Sequence, residues 1–126
     1  MNIPESIKLK KESNLLELVY QQQKYQLSAE YLRVNSPSAE VQGHGQPILQ
    51  YGKKNVKLID IKAAGHYALK LIFDDGHDTG LYSWEYLQKL ATEKETLWDD
   101  YLKELNQQSK SRDPNEAIIR VINPKK

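Results

Sequence analysis

The chain has 126 residues, of which 18 are Lys or Arg and 17 are Asp or Glu, so its formal net charge at pH 7 is +1. A chain of this length buries roughly two-thirds of the surface that it exposes when unfolded, which is enough for one globular domain but not for two. It contains no cysteine, and this excludes disulfides, cysteine-ligated zinc, cysteine-ligated iron–sulfur clusters and a thiol nucleophile.

The first third of the chain predicts short strands. Apolar and polar residues alternate in three segments, with turns near residues 12–14 and 21–24. The alternating residues are Ile7 and Leu9, then Leu16, Leu18 and Tyr20, then Tyr25 and Leu27. Ser28 is a favourable N-cap, so residues 28–32 predict a single helical turn. Residues 35–47 contain two prolines and two glycines and therefore predict a loop.

The middle of the chain predicts a second group of strands. Apolar positions alternate across residues 56–63 and again across residues 67–73, so two adjacent strands should meet at residues 64–65. Residues 74–78 contain an Asp-Gly pair, which supplies the positive φ of a tight turn. Residues 79–82 should then return as a third strand.

The C-terminal part predicts one amphipathic helix from about residue 84 to about residue 107, capped by Ser83. At 1.5 Å per residue this helix would be roughly 35 Å long, so its distal half is expected to project or to form a homodimer. Residues 109–126 follow as a linker and tail. Within them, residues 117–122 predict an edge strand, here or on a partner, with a loosely attached tail as the alternative.

Together these elements predict an α+β fold over residues 1–108, with a small, twisted, mostly antiparallel sheet and a long C-terminal amphipathic helix. The N-terminus has neither a basic nor an apolar segment, so neither a signal peptide nor a transmembrane helix is expected. The expected location is the cytoplasm. The near-neutral charge argues against nucleic acid and membrane surfaces as partners.

The standard catalytic motifs are absent, including nucleotide-binding glycine loops, G-x-S-x-G and H-E-x-x-H. The three histidines are the plausible transition-metal ligands. His66 is expected to be a polar residue at a strand edge, whereas His44 and His77 lie in predicted loops and are better site candidates.

Eight tyrosines and two tryptophans are a large aromatic load for this length. Amphipathic aromatic residues often cover a small core while their hydroxyls stay in water, so the rim of the core is the expected position. The alternative is a recognition surface in which Trp84, Tyr86 and Leu87 anchor a partner.

Three stretches carry a family resemblance: L-R-V-N-S-P-S-A-E-V-Q-G-H-G at residues 32–45, G-H-Y-A-L at residues 65–69 and D-G-H-D-T-G-L-Y-S-W-E-Y-L at residues 75–87. In combination, over about residues 5–92, they resemble the gamma-butyrobetaine hydroxylase-like N-terminal domain, a family of small bacterial proteins of unknown function. The resemblance also extends to the domain that precedes the oxygenase domain of gamma-butyrobetaine and trimethyllysine hydroxylases. The same domain is attached to some Mrp-type iron–sulfur carrier ATPases.

In the hydroxylases the first stretch reads L-R-x-N-C-P-C-x-x-C, and the resemblance implies a structural zinc held by these cysteines and a histidine in a D-x-H turn. Ser36, Ser38 and Val41 stand here in the places of the cysteines, and His77 stands in the place of the histidine. Serine is a poor zinc ligand at neutral pH and valine is none, so loss of the zinc site is expected.

Two interpretations of this loop remain. In one, Glu40 and His44 join His77 in an altered metal site for iron or zinc, with water completing the ligand shell. In the other, Ser36, Ser38 and Glu40 replace the metal with hydrogen bonds and caps that hold the loop. No other cofactor is expected.

The oxygenase domain of the hydroxylases has no counterpart in this chain, so the resemblance does not imply hydroxylase activity. The expected function is a non-catalytic accessory or protein-binding module, linked to metal or iron–sulfur handling, with an iron–sulfur carrier as the candidate partner. The alternative is a metal-ion-binding protein that uses His77, His44 and Glu40. A small enzyme ranks last because the sequence shows no nucleophile–base pair.

Overall fold

Two three-stranded antiparallel sheets form the β part of the protein, whose computed structural model describes residues 3–43 and 45–115. The first sheet has the order β1-β2-β3, with β1 at Ser6–Lys10, β2 at Leu15–Tyr20 and β3 at Gln23–Ser28. The second has the order β4-β5-β6, with β4 at Leu58–Ala64, β5 at Ala68–Phe73 and β6 at Leu81–Ser83. Each of these six strands overlaps a predicted segment, although β3 begins at Gln23, inside the turn predicted for residues 21–24.

Within the described residues, two of the four helices begin at a serine whose hydroxyl caps the helix. Helix α1 (Ala29–Val34) follows Ser28, and α3 (Trp84–Thr92) follows Ser83. Each serine hydroxyl accepts a hydrogen bond from the backbone N–H three residues later, at 3.1 Å in both cases. These bonds satisfy N–H groups that have no partner inside the helix, as expected from the sequence.

The segment predicted as a loop contains one short helix, α2 (Ala39–Gln42). None of the prolines and glycines that predict the loop lies within these four residues. Gly43 ends α2 with a φ of 60°, and a Cβ at this position would lie 2.6 Å from the Gln46 carbonyl oxygen. A glycine is therefore needed where α2 stops.

The predicted long C-terminal helix is confirmed as α4 (Lys94–Gln107). Its predicted start at residue 84 is wrong, because Glu93 separates α4 from α3. Glu93 has φ −109° and ψ 23°, outside the helical range. Just before the break, the Thr92 hydroxyl donates to the Gln88 carbonyl at 2.9 Å, an arrangement that often bends helices. The distal helix is thus about 21 Å long.

Helix α4 also does not project from the domain. Two side chains of α4, those of Tyr101 and Leu105, are buried against the rest of the domain. The Tyr101 hydroxyl donates to the Gln50 carbonyl at 2.8 Å. Residues 109–113 fold back, because the N–H groups of Gly52 and Lys54 bond the carbonyls of Ser111 and Arg112. The predicted β-prone stretch at residues 117–122 lies outside the described residues.

The hydrophobic core lies between the two sheets, α1 and α3. The α+β prediction is confirmed by this arrangement of two antiparallel sheets with helices. The large side chains with the lowest exposure come from both sheets and from both helices: Leu16, Leu18, Leu27, Leu32, Leu58, Leu71, Phe73, Tyr82, Leu87 and Leu90. Within the described residues, no helix combines the length and the apolarity that spanning a membrane requires.

Candidate functional site

His77 is held inside the protein by the turn that follows β5. The Phe73 N–H donates to the His77 carbonyl at 3.0 Å, and the His77 N–H donates to the Asp75 carboxylate at 3.1 Å. Gly76 supplies the positive φ of the turn, 86°. Only 6% of His77 is exposed, so the turn directs the imidazole ring towards the interior.

The ring meets the two serines that stand in cysteine positions. Its Nε2 atom lies 2.7 Å from the Ser36 hydroxyl oxygen and 3.4 Å from the Ser38 hydroxyl oxygen. The Ser38 N–H also donates to the Ser36 hydroxyl oxygen at 3.3 Å. Both serines are buried. We call Ser36, Ser38 and His77 the serine–histidine cluster.

The other ring nitrogen faces Glu40, the second predicted metal ligand. The His77 Nδ1 atom lies 3.6 Å from a Glu40 carboxylate oxygen, and the Thr79 hydroxyl donates to the other oxygen at 2.8 Å. A neutral imidazole with its proton on Nδ1 fits both sides, because Nε2 can then accept from Ser36. The structure therefore brings His77 and Glu40 together, whereas His44 lies outside the described residues.

The resulting arrangement does not fit the zinc site of the hydroxylases. Val41, in the third cysteine position, is buried and offers no ligand atom. Across the described ranges 3–43 and 45–115, no group of three His, Asp or Glu residues is placed to hold a metal ion. The hydroxyl oxygens of Ser36 and Ser38 form hydrogen bonds in place of thiolate–metal bonds.

The Ser36, His77 and Glu40 side chains also have the order of a serine hydrolase triad: nucleophile, base and orienting carboxylate. Ser36 is 0% exposed, however, and a Cβ on Gly80 would lie 2.7 Å from its hydroxyl oxygen. Because the Gly80 backbone covers that oxygen, a substrate carbonyl has no approach to it in this conformation. The triad-like order was invisible in the sequence, since Ser36 and His77 are 41 residues apart.

Burial lowers the pKa of His77, and the positive charge of Arg33 lowers it further, against the opposing effects of Glu40 and Asp75. The ring is therefore neutral at pH 7. A neutral imidazole is consistent with its role as a hydrogen-bond partner of Ser36.

Asp75 is a site residue that the sequence analysis missed. Its carboxylate binds Arg33 at 2.8 Å and Lys53 at 2.9 Å, in addition to the His77 N–H. Burial opposes ionisation of this carboxyl, but the hydrogen bonds from Lys53, Arg33 and the His77 backbone outweigh it and lower the pKa to about 2. The clue was the Asp-Gly turn, although nothing in the sequence indicated which cations it binds.

The expectation that tyrosine hydroxyls stay in water is wrong for five of the described tyrosines. The Tyr20 hydroxyl is buried without a hydrogen-bond partner among the described residues, and the other four donate to backbone carbonyls. Tyr82 donates to the Leu32 carbonyl and Tyr86 to the Asn35 carbonyl, both at 2.6 Å. Tyr31 and Tyr101 also bond backbone carbonyls. Burial accordingly raises the pKa of all four.

The side chains at the start of α3 and in the turn before β5 differ in their exposure. The suggested recognition surface at the start of α3 is excluded for Trp84 and Leu87, which are buried at 8% and 0% exposure. The Trp84 indole N–H donates to the His66 carbonyl at 2.8 Å. His66 itself is exposed in the turn between β4 and β5, as its expected role at a strand edge implies.

A cavity of about 560 Å³ lies between α4 and the segment of residues 34–50, which contains Ser36 and Ser38. We call it the α4 groove. Its apolar surface comes from both sides, from Val34, Val41, Pro47, Leu49 and Leu97. Gln42 lines it too, and its side-chain amide donates to the Ser36 carbonyl at 2.9 Å. The cluster therefore helps to set the shape of one groove wall.

The comparisons with known proteins agree with this architecture. A sequence-family model described as gamma-butyrobetaine hydroxylase-like, N-terminal, matches residues 7–88. An NMR solution structure of a protein 58% identical in sequence superposes with a TM-score of 0.85, covering 98% of this chain and 99% of the other. A second NMR structure, 46% identical, gives a TM-score of 0.77 and covers 98% of this chain and 94% of the other.

A crystal structure of a protein of unknown function from Acidithiobacillus ferrooxidans, assigned to the DUF971 family, is 35% identical. It covers 70% of this chain and 91% of its own, with a TM-score of 0.58. A search of curated proteins gave no significant match.

Proposed function

The chain belongs to the gamma-butyrobetaine hydroxylase-like N-terminal domain family, and we propose that it is a non-catalytic, protein-binding accessory module of the bacterial cytoplasm. The observation that carries the proposal is the contact between Ser36 and His77. The one nucleophile–base pair identified in the described residues is buried beneath the Gly80 backbone. A group that no substrate can reach stabilises the fold and does not react.

The serine–histidine cluster contributes to binding by holding one wall of the α4 groove. The Ser36 carbonyl accepts a hydrogen bond from the Gln42 side chain, and the Tyr86 hydroxyl donates one to the Asn35 carbonyl. Gln42, Asn35 and Tyr86 all line the groove. A groove whose walls are ordered before binding loses less conformational entropy when a partner docks.

The partner class that we propose is a metal- or iron–sulfur-handling protein, with a Mrp-type iron–sulfur carrier ATPase as the candidate. This choice follows from the resemblance, because the same domain is attached to some of these ATPases.

The test is a calorimetric titration of the purified chain with a purified Mrp-type carrier ATPase. Leu49→Glu places a charge on the apolar groove wall, whereas Ile48→Glu changes the adjacent side chain, which is 55% exposed and outside the described groove lining. We expect the wild-type chain and Ile48→Glu to bind equally, and Leu49→Glu to bind at least about tenfold more weakly. If wild-type chain shows no heat of binding at about 100 μM, this partner is wrong.

Self-association through α4 is the other partner arrangement that the sequence predicts. Trp98 is half-buried in this helix, and a charge there would oppose an apolar contact between two copies. Sedimentation should then show a dimer that Trp98→Glu converts to a monomer. A wild-type monomer at high concentration would exclude a homodimer.

The second candidate function is metal-ion binding, and the distance of 3.6 Å between His77 Nδ1 and the Glu40 carboxylate is what favours it. Glu40 is 63% exposed in its side chain and could turn towards an iron or zinc ion that His44 also binds. Metal analysis of untagged protein tests this candidate, with Glu40→Gln and His77→Ala as variants. Equal, near-zero metal in all three proteins would exclude it.

A further inference from the structure

The β1-β2-β3 sheet has a face that points away from the core and carries lysines. Leu16 and Leu18 of β2 point into the core at 0% exposure, so Glu17 between them points to the opposite face. Its cross-strand neighbours are Lys8 on β1 and Gln26 on β3. By the same alternation, Lys10 on β1 and Lys24 on β3 share this face.

Helix α4 adds a fourth lysine at the edge of this face. The Lys94 ammonium donates to the Gln26 carbonyl at 3.1 Å. We call Lys8, Lys10, Lys24 and Lys94, with the strand residues between them, the basic sheet face. Three carboxylates lie on it or near its rim, those of Glu17, Glu93 and Glu95, so four positive charges exceed three negative ones.

Glu17 neutralises only one of the lysines. Its carboxylate is 3.1 Å from the Lys10 ammonium, and its side chain is 3% exposed. A hydrogen bond from Lys10 lowers the pKa of Glu17, and the charges of Lys24 and Lys8 contribute in the same direction. Among the ion pairs that the described residues form, none includes Lys8 or Lys24. Their positive charge is directed towards solvent.

An apolar pocket of about 350 Å³ opens at one end of the basic sheet face. Leu15 precedes Leu16 in β2, so its side chain points to the opposite face, which is the basic sheet face. Leu15 lines the pocket together with Tyr31 and Trp98. The two aromatic rings meet edge to face, with centroids 6.3 Å apart. Lys94 and Glu95 stand at its margin. This volume accommodates one large apolar side chain.

We propose that the basic sheet face binds a segment of another protein that inserts one apolar side chain into the pocket and lays neighbouring carboxylates along the lysines. Aromatic-lined pockets are typical anchoring points at interfaces, and the surrounding charges select the partner. The inference rests on the proposed protein-binding function and adds to it a surface and a partner chemistry. It does not depend on the α4 groove or on the carrier ATPase.

The charges and side-chain types on this face disfavour two other occupants, single-stranded nucleic acid and a second copy of the chain. Single-stranded nucleic acid binds sheets through aromatic side chains on which bases stack, whereas β1, β2 and β3 present Lys, Glu, Gln, Ser, Leu and Val on this face. A second copy would bring two equally basic faces together, and like charges across an interface repel.

The probes are fluorescein-labelled nonapeptides with one Trp, Phe or Leu followed by four acidic residues, titrated with the full-length chain. Two matched controls replace the acids with Lys or the anchor with Ser. We expect dissociation constants of about 10–300 μM for the acidic, anchored peptides. Both controls should bind at least about tenfold more weakly, and raising the salt from about 50 to 300 mM should also weaken binding.

The decisive variant is Lys8→Glu/Lys24→Glu, because both side chains are exposed and their replacement should leave the fold intact. It should lower the affinity about tenfold or more. The matched control is Lys57→Glu/Lys62→Glu, which makes the same charge change at exposed lysines outside this sheet and should change the affinity less than twofold.

Three results would overturn the inference. These are the absence of peptide binding at about 1 mM, tighter binding of a single-stranded oligonucleotide of equal charge, and a dimer in sedimentation that Lys8→Glu/Lys24→Glu dissociates. Peptide binding without carrier binding would instead reject only the partner class proposed above. Carrier binding that depends on Leu49, without peptide binding, would reject this surface and leave the module's function standing.

Discussion

The Nε2 atom of His77 lies 2.7 Å from the Ser36 hydroxyl oxygen, and this contact joins two loops that are 41 residues apart in the chain. Both partners are buried, so loss of either one leaves the other without its hydrogen bond away from water. The resemblance implies zinc ligands at the positions of Ser36, Ser38 and His77. In this chain, hydrogen bonds among these residues join the two loops in place of a metal ion.

The first prediction concerns Ser36. Ser36→Ala removes the short bond to His77 and should lower the free energy of unfolding by about 1–3 kcal/mol, measured by urea denaturation. Ser38→Ala is the matched control, because its hydroxyl lies 3.4 Å from the same nitrogen and should matter less. Equal effects of the two substitutions would contradict the central position of Ser36.

The second prediction concerns pH. The folded pKa of His77 lies below its ordinary value of 6.5, so between these two values the unfolded chain binds more protons than the folded one. The free energy of unfolding should therefore fall as the pH drops below about 6.5 and level off below the folded pKa. Urea denaturation from pH 8 to pH 5 measures this. In His77→Gln this contribution should vanish, and an unchanged pH profile would contradict the assignment.

The strands were predictable because successive side chains of a strand point to opposite faces, and apolar residues follow this period of two, as Leu16, Leu18 and Tyr20 do in β2. The caps at Ser28 and Ser83 were equally clear, because capping depends on residues close in sequence. The break at Glu93 was not predictable, because the helical spacing of apolar residues continues from α3 into α4. The changed backbone angles at Glu93 leave no mark in the residue types around it.

The site was partly predictable, and only through the resemblance. The resemblance placed Ser36, Ser38 and His77 at the positions of zinc ligands, and the structure brings these three residues together. Which atoms would bond could not be read from the sequence, because the contacts depend on the fold of distant segments. Arg33 and Asp75 illustrate the same point: their ion pair spans 42 residues, and no local pattern indicates it.

The third prediction concerns Asp75, which binds Arg33, Lys53 and the His77 backbone. Asp75→Asn keeps an acceptor for the His77 N–H but leaves the buried Arg33 without a carboxylate. We expect a loss of about 1–3 kcal/mol in thermal or urea unfolding. Asp78→Asn, at an exposed position of the same turn, should change stability by less than about 0.5 kcal/mol.

The fourth prediction concerns reactivity. Because Ser36 is 0% exposed, a fluorophosphonate probe should not label the native chain, and the mass of the protein after incubation should be unchanged. A serine hydrolase labelled in parallel is the positive control. Labelling that disappears in both Ser36→Ala and His77→Ala would show an active pair and would contradict the non-catalytic proposal.

The fifth prediction concerns the C-terminal boundary, which the sequence places at residue 108. Beyond it, Arg112 forms two hydrogen bonds of 2.7 Å to the Glu30 carboxylate and stacks over Trp98 at 5.1 Å. Glu30 is 6% exposed, so a chain shortened to residues 1–108 leaves a buried carboxylate unpaired. It should be less stable than a chain of residues 1–115 by about 2–4 kcal/mol in urea unfolding.

Substitutions at Arg112 in the full chain change the ion pair with Glu30 but keep the backbone hydrogen bonds of residues 111 and 112. They therefore measure the contribution of the side chain without that of the backbone contacts. Arg112→Lys in the full chain should cost about 1–2 kcal/mol, because an ammonium cannot bind both carboxylate oxygens in the planar geometry of a guanidinium. Lys110→Ala, whose ammonium lies 4.6 Å from the Tyr51 ring centroid at the surface, should cost less than about 1 kcal/mol. The double variant Glu30→Gln/Arg112→Ala has no unpaired charge at this site. It should therefore be more stable than a variant that carries Arg112→Ala alone. Equal stability of the 1–108 and 1–115 chains would place the boundary at residue 108.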